Sequence, residues 1–390
     1  TTSTGLPQIK AGITYNNWLK QQISLIPAEF FGGSPGQFAE IAFGTKQTMN
    51  GTVTISQKIF DGSYLVGLQA AKVYLEISEN AKEKTEIELR KMVAYAYGNV
   101  LLSEENLKIV NSNIKLLEKN VQDLTKVYEN GLVEQESVQQ IQLTLASLKS
   151  NQSYVKRLKK IAYQIFNNAL GLDLDAAVEL TDSLNQLIAM YTSLTPLESI
   201  LEVENVVDYK IAFNDLKGKE LLLKLEKSKA LPTLDVFLNG GYSGNSETFT
   251  FLDNSQDWFG SSLFGVSMDI PIFSSLGRSA STKKARLNFE KSKSLLKETS
   301  EKIKLEISRA RSNYEFAVED LDIKKEALEL SGKIAQKNEI KFFEGLTTSF
   351  DLSQAQRQLY TAQQDYLQSM LNILIKRIDL EALINPPLKN

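Results

Sequence analysis

The stretch YENGLVEQESV, residues 128–138, closes a long run of mixed polar and apolar residues, and a near copy, FFEGLTTSFDL, stands at 342–352. Tyr128 corresponds to Phe342, Gly131 to Gly345, Leu132 to Leu346 and Val138 to Leu352, all at an offset of 214 residues. Before the first copy, Leu89, Val93, Ala96, Val100, Ser103, Leu107, Val110, Ile114, Leu117, Val121, Leu124 and Tyr128 are spaced alternately by four and three. That spacing is a heptad seam, which keeps one stripe of a slightly underwound helix facing a partner. The same offset gives Ile303, Ile307, Ala310, Tyr314, Ala317, Leu321, Lys324, Leu328, Ser331, Ala335, Asn338 and Phe342. The second seam is more polar and keeps the register. A further seam follows each glycine: Val138, Ile141, Leu145, Leu148 and Val155, then Leu352, Ala355, Leu359, Ala362 and Ser369.

Each half therefore predicts a helical hairpin. Its first arm, near 63–130, would run roughly 100 Å at 1.5 Å per residue. Gly131 and Gly345 stand where a helix C-terminus needs left-handed backbone. By themselves such seams fit any coiled-coil packing, and a glycine there can be a helix terminator and no more.

Glycine and proline concentrate in 5–62 and 230–277, where a different period appears. In 51–62, Val53, Ile55 and Ile59 alternate with Thr52, Thr54 and Ser56. In 264–275, Phe264, Val266, Met268, Ile270 and Ile272 alternate with Gly265, Ser267 and Asp269. Period two with one apolar face predicts half-buried strands. Two more strands precede them, at 6–15 (Ile9, Ala11, Ile13, Tyr15) and 231–242 (Leu234, Val236, Leu238, Tyr242). Loops rich in Gly, Ser, Asn and aromatics join each pair, at 16–50 and 243–262. Helices that start directly from the strands cannot fold back to cover the apolar face. The other solvent for such a face is lipid, which strands meet only as a closed barrel. Four strands per chain then require several chains. Tyr15, Trp18, Tyr242, Trp258 and Phe259 are placed at or beyond strand ends, as an interfacial girdle or as ordinary core aromatics near turns.

Composition removes other classes. The 390 residues carry 44 basic and 47 acidic side chains, too balanced for nucleic-acid binding as the main task. With no Cys and no His, zinc sites of those ligands and Cys- or His-based catalysis are excluded. No cofactor or metal is expected, and no enzymatic activity. No run approaches the twenty or so apolar residues of a spanning helix. The lack of a signal peptide is uninformative, because a processed chain reads the same.

Tandem halves, each with two strands, a heptad helix and an aromatic-x-x-Gly-Leu turn, resemble the TolC family of bacterial outer-membrane channels. The resemblance is carried by TVTISQKIFDG (52–62), YENGLVEQESVQQIQ (128–142), LPTLDVFLNGGY (231–242), VSMDIPIFSSLGR (266–278) and FFEGLTTSFDLSQAQRQL (342–359). It implies α structure plus a transmembrane β-barrel: a homotrimer sharing twelve strands, continued by a helical tunnel across the periplasm. It implies the outer membrane of a Gram-negative bacterium as location and a passive exit duct as function. It also implies a periplasmic adaptor and an inner-membrane pump as partners.

On that resemblance the chain divides into a first strand pair (1–61), a first helical hairpin (62–172), an irregular equatorial segment (173–194), a helix (195–230), a second strand pair (231–274) and a second hairpin (275–390). Tyr128, Gly131, Leu132, Phe342, Gly345 and Leu346 would form the adaptor-facing tip. Ile9, Ile13, Tyr15, Val53, Ile55, Leu234, Val236, Leu238, Val266, Met268 and Ile270 would face outer-membrane lipid. Some relatives narrow the tunnel with an Asp-Val-Leu-Asp run, which corresponds here to Asp351-Leu352-Ser353-Gln354, with Gln354 replacing the second acid. Asp351 is equally an acid favoured near a helix N-terminus. The second half has a helix before its strands and the first half has none, so repeat logic expects about 35 more residues at the N-terminus. The competing reading is a soluble coiled-coil scaffold, which leaves the four strands without a purpose. A helical pore-forming toxin would need an apolar helix that the sequence lacks.

Overall fold

A computed structural model describes residues 2–192 and 202–384 of the chain. Among these described residues six strands and six α-helices follow in order. They are β1 (Gln8–Asn17), β2 (Ile23–Pro27), β3 (Phe38–Ala42), β4 (Gln47–Phe60), α1 (Gly62–Glu129), α2 (Gln135–Ala169), α3 (Leu184–Tyr191), α4 (Val207–Ser228), β5 (Thr233–Ser246), β6 (Trp258–Asp269), α5 (Gly277–Phe343) and α6 (Ser349–Ile384). The chain forms two compact units, Thr1–Glu76 with Asn214–Ser294 and Ile77–Phe213 with Leu295–Asn390.

The first unit is built on a four-stranded antiparallel sheet in the order β1-β4-β5-β6. The two halves of the sequence meet at the central β4–β5 pair. Register aligns Ile9, Ile55, Leu238 and Phe264 across the sheet, and two residues along, Ala11, Val53, Gly240 and Ser262. The next such row is Ile13, Gly51, Tyr242 and Gly260. Residues directly opposite one another share a face. One face is therefore dominated by large apolar side chains. The other carries Lys10, Thr54, Asn239 and Leu263, then Gly12, Thr52, Gly241 and Ser261.

Four expectations change here. Loop 16–50 contains a second sheet, the β2–β3 hairpin. β6 covers 258–269 instead of 264–275, so Ile270 and Ile272 lie beyond it. Pro271 has no N–H to give the ladder, and the chain then passes through left-handed backbone at Ser275 (φ 48°) and Leu276 (φ 66°) before α5. A bulge between Lys58 and Phe60 places Phe60, not Ile59, opposite Leu234. Tyr242 and Tyr15 sit inside strands that extend farther than expected, while Trp258 and Phe259 begin β6 and Trp18 follows β1 directly. Tyr15, Phe249 and Phe251 meet edge-on and Trp258 tilts against Phe251, an aromatic cluster with ring centroids 5.6–6.3 Å apart. Phe251 of the β5–β6 loop is buried there against Gly244, where any side chain would crowd its ring.

One residue separates β4 from α1. Asp61 caps the helix, its Oδ1 accepting from the N–H groups of Ser63 (2.8 Å) and Tyr64 (3.2 Å), while Lys58 donates to Oδ2 (2.6 Å).

The second unit holds the hairpins. The seam residues read from the heptads are the buried ones: Ala96, Val100, Val110, Ile114, Leu117 and Leu124 on α1, and Ile303, Ile307, Tyr314, Ala317, Leu321, Ser331, Ala335 and Phe342 on α5. Leu89 and Tyr128, at the ends of the first seam, stay exposed. On the return arms Val138, Ile141, Leu148, Val155, Leu352, Ala355, Ala362 and Ser369 are buried. Both hairpins zip in the same register. Asn111 Oδ1 accepts from Gln152 Nε2 (2.6 Å) in the first, and Lys324 binds Asp365 (3.1 Å) in the second, one residue from the equivalent pair.

The segment 173–194 is not wholly irregular. Residues 184–191 form α3, which opens with a capping box in which Ser183 and Gln186 satisfy each other's backbone N–H. Ahead of it, buried Asn167 donates to the carbonyls of Leu174 (3.0 Å) and Ala176 (2.9 Å), pinning the turn after α2. Of the expected helix 195–230, α4 covers 207–228, and residues 193–201 lie outside those described.

Candidate functional site

The two hairpin tips close in the same way. Gly131 (φ 74°) donates to the Tyr128 carbonyl (2.8 Å), and Leu132 donates to that of Val127 (3.2 Å). Gly345 (φ 74°) donates to Phe342 (3.0 Å), and Leu346 to Lys341 (2.8 Å). A residue in left-handed conformation, with the next N–H reaching back five positions, is a Schellman motif, which consumes the orphan carbonyls at a helix end. Each glycine is therefore a helix terminator. Neither meets an atom within 4 Å of where a Cβ would stand, so the requirement is conformational rather than steric. Gly131→Val and Gly345→Val should each cost about 1–2 kcal/mol, because left-handed backbone penalises a Cβ by that order. Chemical denaturation followed by far-UV circular dichroism measures this, and an unchanged midpoint would contradict it.

The tip residues divide by exposure. Leu132 (76% exposed) and Leu346 (70%) project from the turns, and Tyr128 is partly exposed. Phe342, at 7%, is core: it packs with Leu117, Leu124, Ile141 and Leu352. Its neighbour Phe343 meets it edge-on at 5.6 Å. Of the expected tip side chains, Leu132, Leu346 and Tyr128 are thus the exposed ones, and Phe343 and Phe350 are exposed beside the second turn.

Asp351 stands at the third position of α6. Its Oδ2 accepts from Thr348 Oγ1 (2.6 Å), the Thr348 N–H (3.2 Å) and Thr347 Oγ1 (3.0 Å), and its N–H donates to Thr348 Oγ1 (3.1 Å). This is a capping box built with Thr and Asp. The Thr348 hydroxyl and N–H, then Thr347, hold the Asp351 carboxyl below its ordinary range. A lowered folded-state pKa stabilises the fold above the unfolded-state pKa, and that contribution disappears as pH falls through the lowered value. The difference in melting temperature between the parent chain and Asp351→Asn should therefore be present at neutral pH and vanish under strong acid. A difference independent of pH would contradict it. Gln354, one turn on, accepts from Arg357 Nη2 (2.7 Å).

Of the residues expected to face lipid, Ile9, Ile13, Tyr15, Val53, Ile55, Leu234, Val236, Leu238, Val266 and Met268 are brought onto one face of the four-stranded sheet. Ile270 is not, because β6 ends before it. Sequence reading placed Phe264 on the apolar side of its strand without naming it among the lipid-facing residues, and it overlooked Trp258 and Met49 as members of this face. Trp258 and Met49 required the true strand ends.

Elsewhere in the helical unit, tyrosines bind acids. Tyr97 donates to Asp182 Oδ2 (2.6 Å), and burial and that carboxylate push its pKa to about 12. Tyr163 donates to Glu104 (2.9 Å) with the same causes and a value of about 12, while Lys159 binds the same carboxylate at 2.8 Å. Tyr95 donates to Asp379, which also binds Lys91 (2.7 Å). Tyr163–Glu104 and Tyr95–Asp379 join helix to helix, and Tyr97–Asp182 ties α1 to the segment ahead of α3, an architecture for holding helices in place.

A sheet with one apolar face, joined to duplicated heptad hairpins with identical glycine tips, defines an outer-membrane duct. The family described as outer membrane efflux protein matches residues 6–172 and 222–386, and the chain belongs to it. It is similar to the outer membrane protein TolC of Vibrio cholerae serotype O1, with 22% identity over 342 residues, covering 82% of this chain and 74% of TolC. Its fold is similar to the solved structure of CusC (TM-score 0.74, 16% identity, 98% of this chain and 84% of that one). It is similar also to the outer membrane protein VceC from Vibrio cholerae (0.73, 15%, 98% and 88%). The open state of the Neisseria gonorrhoeae MtrE outer membrane channel matches at 0.73, with 15% identity over 100% of this chain and 82% of that one. The protein is an outer-membrane exit duct of an efflux system, extending into the periplasm.

Proposed function

We propose that three copies of this chain close one twelve-stranded barrel in the outer membrane, and that this barrel is the mouth of the duct. The observation that carries the proposal is the sheet itself: four antiparallel strands, one apolar face, and two edge strands, β1 and β6. An open edge is untenable in hydrocarbon. In a sheet of even strand number, β1 and β6 run antiparallel, so β6 of one copy pairs with β1 of the next and the ring closes head to tail. Two copies would give eight strands, whose lumen side chains fill; twelve leave an opening. The apolar rows from Ile9 and Val53 to Leu238, Val266 and Met268 then face lipid, and the Thr, Ser and Asn face lines the lumen.

On this reading the strand blocks 1–61 and 231–274 form the barrel, and the hairpins 62–172 and 275–390 form the periplasmic tunnel. The equatorial segment, with α3, belts the tunnel near its midpoint, and α4 leads into the second strand pair. The hairpin tips present Leu132, Leu346 and Tyr128 to a periplasmic adaptor that connects the duct to an inner-membrane pump. Gly131 and Gly345 shape the turns and Phe342 anchors one of them. One Asp351 per copy, flanked by Gln354, puts a ring of three negative charges near the inner end of the tunnel.

The test is native mass in mild detergent after extraction from membranes, with the detergent contribution subtracted. The expected particle has three times the 43.6 kDa of the chain. A monomer or dimer that needs no detergent would overturn the barrel.

A further inference from the structure

The end of β6 passes into a strongly basic stretch. Residues 277–294, the start of α5, carry Arg278, Lys283, Lys284, Arg286, Lys291 and Lys293 against a single acid, Glu290. The corresponding residues of the first repeat, 63–80, hold only Lys72, against Glu76 and Glu79. Both repeats build the same hairpin, so the fold itself does not demand this charge.

Little within the chain neutralises it. Lys293 pairs with Glu290 (3.1 Å) and lies over the Phe289 ring (4.4 Å). Among the described residues, no salt bridge engages Arg278, Lys283, Lys284, Arg286 or Lys291, and the last four are exposed. On α4 of the same unit, by contrast, Lys219, Lys224 and Lys229 each have an acid within 3.4 Å. Lys283 and Arg286 are also three residues apart, a spacing at which like charges repel on a helix. Such a cluster is best placed beside an anionic surface.

The strand says which surface that is. β6 ends at Asp269, and Ile270 (59% exposed), Ile272 (89%), Phe273 (81%) and Leu276 (76%) follow it. Arg278 Nη1 donates to the Pro271 carbonyl (2.8 Å), which ties the start of α5 to the end of the strand. Arg286 then lies about 14 Å along the helix from Gly277, at 1.5 Å per residue. Exposed apolar residues followed at once by cations are the pattern of a segment at a membrane surface. The apolar side chains enter the acyl boundary, and Lys and Arg reach the phosphates.

We infer that the start of α5 binds anionic phospholipid in the periplasmic leaflet of the outer membrane, a phosphodiester headgroup with no ammonium of its own. This rests on the barrel proposed above, which sets β6 in the membrane, and it adds the class of lipid and the residues that select it. The cations are the ligand-binding groups, and the apolar linker from Ile270 to Leu276 holds them at headgroup depth.

The test inserts the full chain into vesicles of equal parts phosphatidylethanolamine and phosphatidylglycerol, extracts it in mild detergent and counts the headgroups that the particle retains. The parent should retain phosphatidylglycerol in excess at low salt and lose the excess at high salt, because exposed charges are screened. Lys283→Gln/Lys284→Gln/Arg286→Gln should lower that preference by about fivefold or more, the effect of a single cation at an anionic surface. Lys115→Gln/Lys119→Gln removes two exposed cations many turns down α1 from β4 and should match the parent. A trimeric triple variant that keeps the parent's lipid ratio would overturn the inference and leave the barrel standing. If that variant instead changed the ion selectivity of the channel at an unchanged lipid ratio, the inference would fall in favour of charges that line the lumen. A parent chain that never inserts into the vesicles would overturn both the inference and the barrel.

Discussion

Replacing Tyr314 by alanine is expected to cost about 3–5 kcal/mol, the range for removing a large aromatic from a packed core. Tyr314 is the largest side chain with no exposure at all in the helical unit. It lies in the cluster of Leu101, Leu184, Ile188, Leu367, Met370 and Leu374, which joins α1, α3, α5 and α6. Its hydroxyl donates to the Tyr191 carbonyl at the end of α3, and the Arg377 guanidinium lies over its ring at 5.7 Å. Removing the ring leaves a cavity at the point where four helices meet, and with it the tie that holds α3. Tyr314→Phe keeps the ring and loses only the hydroxyl, so its expected cost is about 1 kcal/mol. Chemical denaturation of both variants separates the two contributions. Equal costs would mean that the hydroxyl, not the ring volume, dominates.

Leu238→Lys is expected to destabilise the barrel by about 2–4 kcal/mol, the penalty for a cation on the lipid face near the membrane midplane. Leu238 sits in the row Ile9, Ile55, Leu238 and Phe264, the most uniformly apolar row of the sheet. Its neighbour Asn239 points to the opposite face, level with Lys10 and Thr54. Asn239→Lys should therefore shift stability by no more than about 0.5 kcal/mol, as a substitution facing water does. The measurement is urea unfolding of both variants in lipid vesicles, with the yield of trimer from membranes as a second readout. If Asn239→Lys proved the costlier, the two faces would be assigned the wrong way round. Since adjacent residues share backbone, strand and depth, only the side from which the charge is presented differs.

Much of this could be read from residues alone because it is local. A helix repeats every 3.6 residues and a strand every two, so the seam from Val93 to Leu124 and the alternation from Val53 to Ile55 are written in spacing. The helix terminators are local too, since Gly131 and Gly345 need only their own left-handed backbone and the carbonyls just behind them. Repetition at 214 residues multiplied these weak signals and tied them to one fold. Strand ends were less legible. They depend on partners: β6 begins at Trp258 because Gly244 of β5 offers it a ladder, and it stops at Asp269 because Pro271 lies ahead. The β2–β3 hairpin pairs segments in a loop with no strict alternation, and α3 is a short helix whose hydrophobicity is spent on contacts with α6, far away in sequence.

By itself, then, the sequence determined the duplication, the helical hairpins, their glycine tips and the existence of an apolar strand face. Each of these is imposed by backbone periodicity and by φ values that few residues tolerate. Tertiary structure alone decided that β4 pairs with β5 across the repeat and that a bulge hands the apolar row from Ile59 to Phe60. It alone decided that Phe342 is core while Leu346 is surface, and that Asp351 spends its charge on the start of its own helix. These outcomes rest on which distant segment supplies the matching hydrogen-bond edge or the matching cavity, and a one-dimensional pattern carries no record of that.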